Sequence, residues 1–225
     1  MAFQWSSHAA HIQSVFSPWQ EQDGYPLAII EAAEQALGLP LPALLKNFYL
    51  AWGRRTDLTR TRETMLNPDQ LTVRSGGVIF AEENQAVYVW AIPCTALHST
   101  NPPVYAAELT AEPDDLHWTP SHRHLSDFLD YVAYGHALAH GAPHGGVAHE
   151  RCTDALQNLI VQYWHPIEIA SVQMGFLPDP AARWVVHGGP GVVLDCEGEL
   201  WVATRTVALR EMVRERLHLT WKTMW

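Results

Sequence analysis

The sequence predicts an α+β fold, and three shifts in hydrophobic periodicity predict it. Helical spacing runs through 25–53, alternation replaces it across 78–109, and helical spacing returns at 124–140. In the first stretch Leu27, Ile30, Ala33, Glu34 and Leu37 follow helical spacing, and Gly38 supplies the stop. Pro40 and Pro42 sit where a helix N-terminus tolerates proline. Leu44, Leu45, Phe48, Tyr49 and Trp52 then form the broad apolar face of a second helix, ended by Gly53. A link of two or three residues makes the two an αα-hairpin. Residues 1–24 read as an N-terminal arm or short helix anchored by Trp5, Phe16 and Trp19, and 54–77 as a charged, irregular connection.

The alternating region divides into strands at 78–84, 86–93 and 102–109. Glu83–Asn84–Gln85 joins the first two, with Asn84 able to take a positive φ. In the second strand Val87, Val89 and Ala91 oppose Tyr88, Trp90 and Ile92, so both faces are apolar and the strand belongs inside a sheet. Pro102 and Pro103 lack amide donors, which places their end of the third strand at its beginning or at an edge. Residues 110–120 form an acidic loop ending at His117–Trp118. The helix at 124–140 has Leu125, Phe128, Leu129 and Val132 as its core stripe, Asp127 and Asp130 on its exposed side, and Ser121 or Ser126 as its cap. The Gly/Pro/His-rich 141–150 reads as a linker. Beyond it, 151–225 reads as an α/β extension: a helix, short strands around Gly188–Gly191 and Glu197–Gly198, and a last helix. The division is therefore an arm (1–24), a main domain (25–140) and an extension (151–225) packed on that same domain.

Composition narrows the function. The chain has 225 residues, 48% of them hydrophobic and 17% charged, which excludes a disordered chain. At this length roughly 70% of the unfolded surface is buried on folding, enough for a substantial core. The net charge of −10 lacks the basic footprint that nonspecific nucleic-acid binding needs. The N-terminus has neither the basic start nor the apolar core of a signal peptide, and the apolar run Ala86–Leu97 is too short to span a membrane. Cys94, Cys152 and Cys196 are odd in number, widely spaced and without a CxxC. The expectation is three small buried hydrophobes in a reducing cytosol, with neither a disulfide framework nor a cysteine zinc site.

Two groups of residues carry a further signal. Glu34, Leu37–Gly38, Leu41–Pro42, Leu44, Phe48–Tyr49 and Gly53 are followed by Phe80–Ala81–Glu82–Glu83–Asn84–Gln85, Val89–Trp90 and Pro102–Pro103–Val104–Tyr105. In this order and spacing the pattern resembles the SUKH superfamily, the cell-wall-regulator-like domains widespread as bacterial immunity proteins. The resemblance covers roughly 25–140. It implies an αα-hairpin packed on a mainly antiparallel sheet with a closing helix. It also implies a non-enzymatic, cytoplasmic protein, without a cofactor, that binds and neutralises a cognate secreted toxin domain of nuclease or deaminase type. A regulatory scaffold without a toxin partner is the alternative within the family. The resemblance implies no catalytic residue.

The residues themselves nominate two places. Glu82, Glu83, Glu108, Glu112, Asp114 and Asp115 cluster around the hairpin and the acidic loop, with Trp118 beside them as an aromatic anchor. If they converge, they form a negative surface able to steer and occlude a basic active site. The competing reading is a soluble acidic protein with scattered carboxylates. The expected assembly is a monomer or weak homodimer. The second place is His136 and His140, whose i, i+4 spacing on a helix suits one metal ion, with His149 or Glu150 as a further ligand. Against it stand 13 histidines, which make chance spacings common, and the absence of HExxH. Of ten tryptophans, Trp52, Trp90 and Trp184 lie in apolar periodic segments and are expected in the core.

Overall fold

A computed structural model of the chain describes residues 4–60, 63–109, 116–168 and 185–225. Glu112, Asp114, Asp115 and Trp184 lie outside the described residues, and so does the side chain of His140. The fold is α+β, with seven α-helices and two antiparallel sheets among the described residues.

The helical hairpin forms as its periodicity requires. α2 (Leu27–Leu37) stops at Gly38 in the left-handed conformation, φ 65°. α3 (Ala43–Trp52) begins after Pro42 and buries Leu45, Phe48, Tyr49 and Trp52. Of the two readings of the N-terminal segment, an arm or a short helix, the structure has the short helix. α1 (Ala9–Val15) buries Ile12 and Val15, and Trp5 and Phe16 flank it in the same core, whereas Trp19 is largely exposed. The connection at 54–77 carries elements as well. It holds α4 (Thr56–Thr59), β1 (Glu63–Met65) and β2 (Thr72–Arg74), each too short to give a periodic signal.

The first sheet runs β1–β3–β4–β5–β6, with β3 at Gly77–Glu83, β4 at Tyr88–Pro93, β5 at Val104–Glu108 and β6 at Thr119–His122; β2 also pairs with β3. β4 lies between two neighbours, as its two apolar faces require. The turn before it takes its positive φ at Ala86 (56°), not at Asn84. On one face of this sheet Phe80 and Trp90 meet Phe128 of α5 (Leu125–His136), at centroid distances of 5.1 and 5.6 Å.

α5 departs from the expected amphipathic helix. Every residue from Leu125 to His136 except Asp127 is buried, and Asp130 keeps only 5% of its surface. Neither Ser121 nor Ser126 caps it by side chain. Instead Asn101 Oδ1 accepts the Ser126 amide at 2.9 Å, satisfying an orphan donor of the first turn. The helix then loosens into a π-helical turn, Ala137–Gly141.

The expected linker is a strand. β7 (His144–Arg151) sits second in the other sheet, whose order is β12–β7–β11–β10–β9–β8. The remaining strands are β8 (His165–Glu168), β9 (Val185–Gly189), β10 (Val192–Glu197), β11 (Glu199–Thr204) and β12 (Trp221–Met224). Alternation sorts its two faces. Val193 and Ala203 join the core shared with α5 and the first sheet. Val192, Leu194, Cys196, Leu200 and Val202 pack instead beneath α6 (Asp154–Ile160) and α7 (Val207–Leu217), against Ile160, Trp164, Val213 and Leu217. The layers are therefore sheet, helices, sheet, helices.

Cys152 and Cys196 form a disulfide across this second core, contrary to the expectation of three unpaired thiols, while Cys94 stays free. Strand pairing explains it. The β10–β11 hairpin, its register at Cys196–Leu200, carries Cys196 to the place where the Cys152 amide donates to Gly198 O at 2.8 Å. The bond closes a 44-residue separation, a constraint of about 4 kcal/mol on the unfolded chain in the chain-entropy account.

Gly145 and Gly146 read as linker residues because glycine weakens strands in isolation. Here they make room for tryptophans. A β-carbon on Gly146 would lie 2.7 Å from Thr223 O and 2.9 Å from the Trp221 ring, and one on Gly145 would collide with the Trp225 ring and with Val202 O. Gly146→Val, a change that ordinarily favours strands, is therefore expected to lower the thermal midpoint by at least 5 °C, as an overpacking cost above about 2 kcal/mol implies. An unchanged or raised midpoint in thermal denaturation would contradict this packing.

Candidate functional site

The polar groups brought inside by α5 form the first cluster of chemical interest. His136 is fully buried. Its Nδ1 lies 2.7 Å from Leu58 O, which only accepts, so Nδ1 carries the proton. Its Nε2 accepts the Glu63 amide at 3.1 Å. Both ring nitrogens are thus engaged by the backbone and no lone pair faces a metal. The π-helical turn also begins at 137, which removes the α-helical i, i+4 relation assumed for His136 and His140. His149 lies on β7, and Glu150 accepts the Thr220 amide, so both serve the second sheet. Among the described residues no group of three potential ligands is assembled.

Around His136 the cluster continues. Glu63 Oε1 accepts the Tyr131 hydroxyl at 3.0 Å. His122 packs edge-on to Phe128 and beside Tyr131, and burial drives its pKa down to about 4 although Glu63 pulls it upward. Next to Tyr131 on α5, Asp130 Oδ1 accepts from Trp5 Nε1 at 2.8 Å and from Ser6 Oγ at 2.6 Å. Burial raises the Asp130 carboxyl to about 6, against the pull of those two hydrogen bonds. Tyr134 donates to His11 Nδ1 at 2.7 Å, and the other His11 nitrogen faces Gly189 O and Val192 O at 3.0 Å each. Burial lowers the His11 pKa, which favours this neutral tautomer. These contacts tie α1 and both sheets to one helix. His136, Tyr131, Asp130, Tyr134 and His11 are each engaged by another part of the chain, which gives these contacts a structural role.

The surface candidate lies on the other face of the first sheet. Residues paired across antiparallel strands share a face. Glu82 pairs with Val89 and Val89 with Ala107, so these three point away from α5. Glu108 pairs with Tyr88, on the face that carries Trp90, and Glu83 pairs with Glu63, whose side chain enters the α5 cluster. Glu82 and the pair Glu83 and Glu108 therefore occupy opposite faces of the sheet end. Glu83 is also occupied, since its Oε2 accepts from the Gln85 amide at 2.9 Å and more weakly from Val87. Asp130, grouped from the sequence with the exposed carboxylates, is inside.

Trp118 does sit on the face away from α5, and a hairpin turn places it there. Ser75 (φ 45°) and Gly76 (φ 77°) make the two-residue turn between β2 and β3, both left-handed as a tight hairpin demands. That turn aims Ser75 O at Trp118 Nε1, at 3.0 Å, and Ser75 Oγ at the Leu116 amide, at 3.2 Å. The indole then lies over Gly77, where an added β-carbon would come within 3.1 Å of its ring. The result is a cleft of about 240 Å³ lined by Gly76, Gly77, Ala91, Pro93, Tyr105 and Trp118. Its walls are apolar, and Tyr105 and Trp118 are both half-buried. The sequence singles out Trp118 and also marks Gly76–Gly77 as a turn before a strand; the place of Tyr105 beside Trp118 was missed, because it depends on strand register.

Comparison with protein-family models, with curated proteins and with solved structures finds no match for this chain.

The Asp130 carboxyl gives a prediction with a definite sign. Its folded pKa, about 6, stands above the unfolded value, so its contribution to stability is complete below about pH 4 and is lost as pH rises through 6. Asp130→Asn keeps the acceptor for Trp5 and Ser6 and removes the titration. The stability of wild type minus that of the variant is expected to fall by roughly 2–3 kcal/mol between pH 4 and 7. A difference curve from urea denaturation that stays flat would contradict it.

Proposed function

We propose that this protein is a non-enzymatic binding protein of the immunity type. In this reading it acts in the cytoplasm and neutralises a bacterial toxin domain, of nuclease or deaminase class, by covering its basic active site. The toxin class rests on the resemblance of 25–140 to the SUKH superfamily. The observation that carries a binding role is the Trp118 cleft on the sheet face away from α5, with Glu82 on that same face. An aromatic pocket at one end of β3 and a carboxylate near the other end of the same strand and face suit an anchoring side chain with basic groups some distance along the partner's surface. The net charge of −10 adds a long-range attraction for a basic partner. No helix among the described residues is long and apolar enough to cross a membrane.

The test has two parts. The protein is immobilised, exposed to a lysate of the organism that makes it, and the retained proteins are identified. The expected capture is a secreted polymorphic protein, held through its C-terminal toxin domain. Signalling proteins alone would move the reading to a regulatory scaffold. Binding to the captured domain is then measured for Trp118→Ala and for Glu82→Lys. Each is expected to weaken affinity at least tenfold, and raising salt from 50 to 500 mM to weaken it further. Wild-type affinity in both variants, with circular dichroism showing them folded, would remove this face from the interface.

A further inference from the structure

We propose that Cys152 and Cys196 form an oxidation-controlled clasp on the second sheet, open as a dithiol in a reducing cytosol and closed by exchange with a disulfide donor. Three observations carry it, and none involves the toxin reading. First, the backbone holds the two positions together without the bond. The Cα atoms are 5.2 Å apart. The Cys152 amide reaches Gly198 O at 2.8 Å, Arg151 of β7 pairs with Glu199, and the β10–β11 register fixes Cys196 opposite Leu200. The dithiol form therefore keeps the same pairing, and closing the bond needs no rearrangement.

Second, the two sulfurs differ in access. Cys152 is half-buried at the entrance to α6, whereas Cys196 keeps only 6% of its surface, beneath α6 and α7. This sets the order of steps. The Cys152 thiolate attacks a small disulfide such as oxidised glutathione, forming a mixed disulfide and releasing one glutathione thiolate. The Cys196 thiolate, its proton lost to solvent, then displaces the second glutathione thiolate and completes the bond. Two protein thiols are oxidised and one glutathione disulfide is reduced to two thiols.

Third, the position gives the clasp something to hold. Cys152 precedes Thr153, whose hydroxyl accepts the Leu156 amide and caps α6. The closed bond fastens the start of α6 to β10 and encloses α6, β8 and β9 in one loop. Cys94, in the turn that follows β4, has no such partner and remains a thiol in both states.

The experiment equilibrates the full chain in reduced and oxidised glutathione buffers, quenches with an alkylating reagent, and counts labels by mass while measuring the thermal midpoint. Three labels are expected at reducing poise. One is expected at oxidising poise, located on Cys94, with a midpoint higher by roughly 5–15 °C. Cys152→Ser is expected to abolish the dependence on poise. Reduction and reoxidation of wild type supplies the same readout should that variant fold poorly. Three labels at every poise, or equal midpoints for one-label and three-label protein, would overturn the proposal.

Discussion

The structure depends on α5 being buried on all sides. A helix in that position cannot leave a polar group to solvent, so each one along it must be answered by another part of the chain. The answers come from everywhere. Trp5 and Ser6 meet Asp130, Glu63 meets Tyr131, His11 meets Tyr134, and Leu58 O with the Glu63 amide meets His136. Leaving one such partner unsatisfied costs about 1–3 kcal/mol. The pairs therefore act as addresses that fix where α1, α4, β1 and the β9–β10 hairpin dock. The apolar contacts, Phe128 with Phe80 and Trp90 above all, supply attraction without direction.

This arrangement separates scaffold from surface. With α5 covering one face of the first sheet, Glu82, Tyr105 and Trp118 are half-buried on the opposite face, around a buried centre of Ile79, Val89, Ala91 and Ala107. The Ser75–Gly76 turn then fixes Trp118 over Gly77 by backbone geometry. The second sheet, on the far side of α5, has its own helices and its own cysteine pair. A change of redox state there acts on α6, β8 and β9, at a distance from the Trp118 cleft.

What the sequence made legible was what repeats. The helical hairpin, the β3–β4 pair and the central place of β4 follow from apolar spacing alone. What it hid depended on partners far away in the chain. Asp130 looked exposed and His136 looked like a candidate ligand because their side chains are polar, yet Trp5 and Leu58 make their burial possible. Residues 141–150 looked like a linker because Gly145 and Gly146 weaken a strand unless Trp225 and Trp221 fill the space. Cys152 and Cys196 carried no motif because β pairing joins them across 44 residues. In the N-terminal segment Trp5, Ala9, Ile12 and Phe16 stand at helical spacing, but too briefly to decide between an arm and a short helix. Of the candidate interface, Trp118 was legible, whereas the split of Glu82 from Glu83 and Glu108 needed the strand register.

The central claim is that α5 makes both sheets one cooperative structure. Native-state hydrogen exchange on the disulfide-closed protein tests it most directly. The account predicts that the slowest amides of α5, of β3 and β4, and of β10 and β11 share one opening free energy and one denaturant dependence. Exchange of β10 and β11 through a separate, cheaper opening, with α5 and the first sheet still protected, would contradict it.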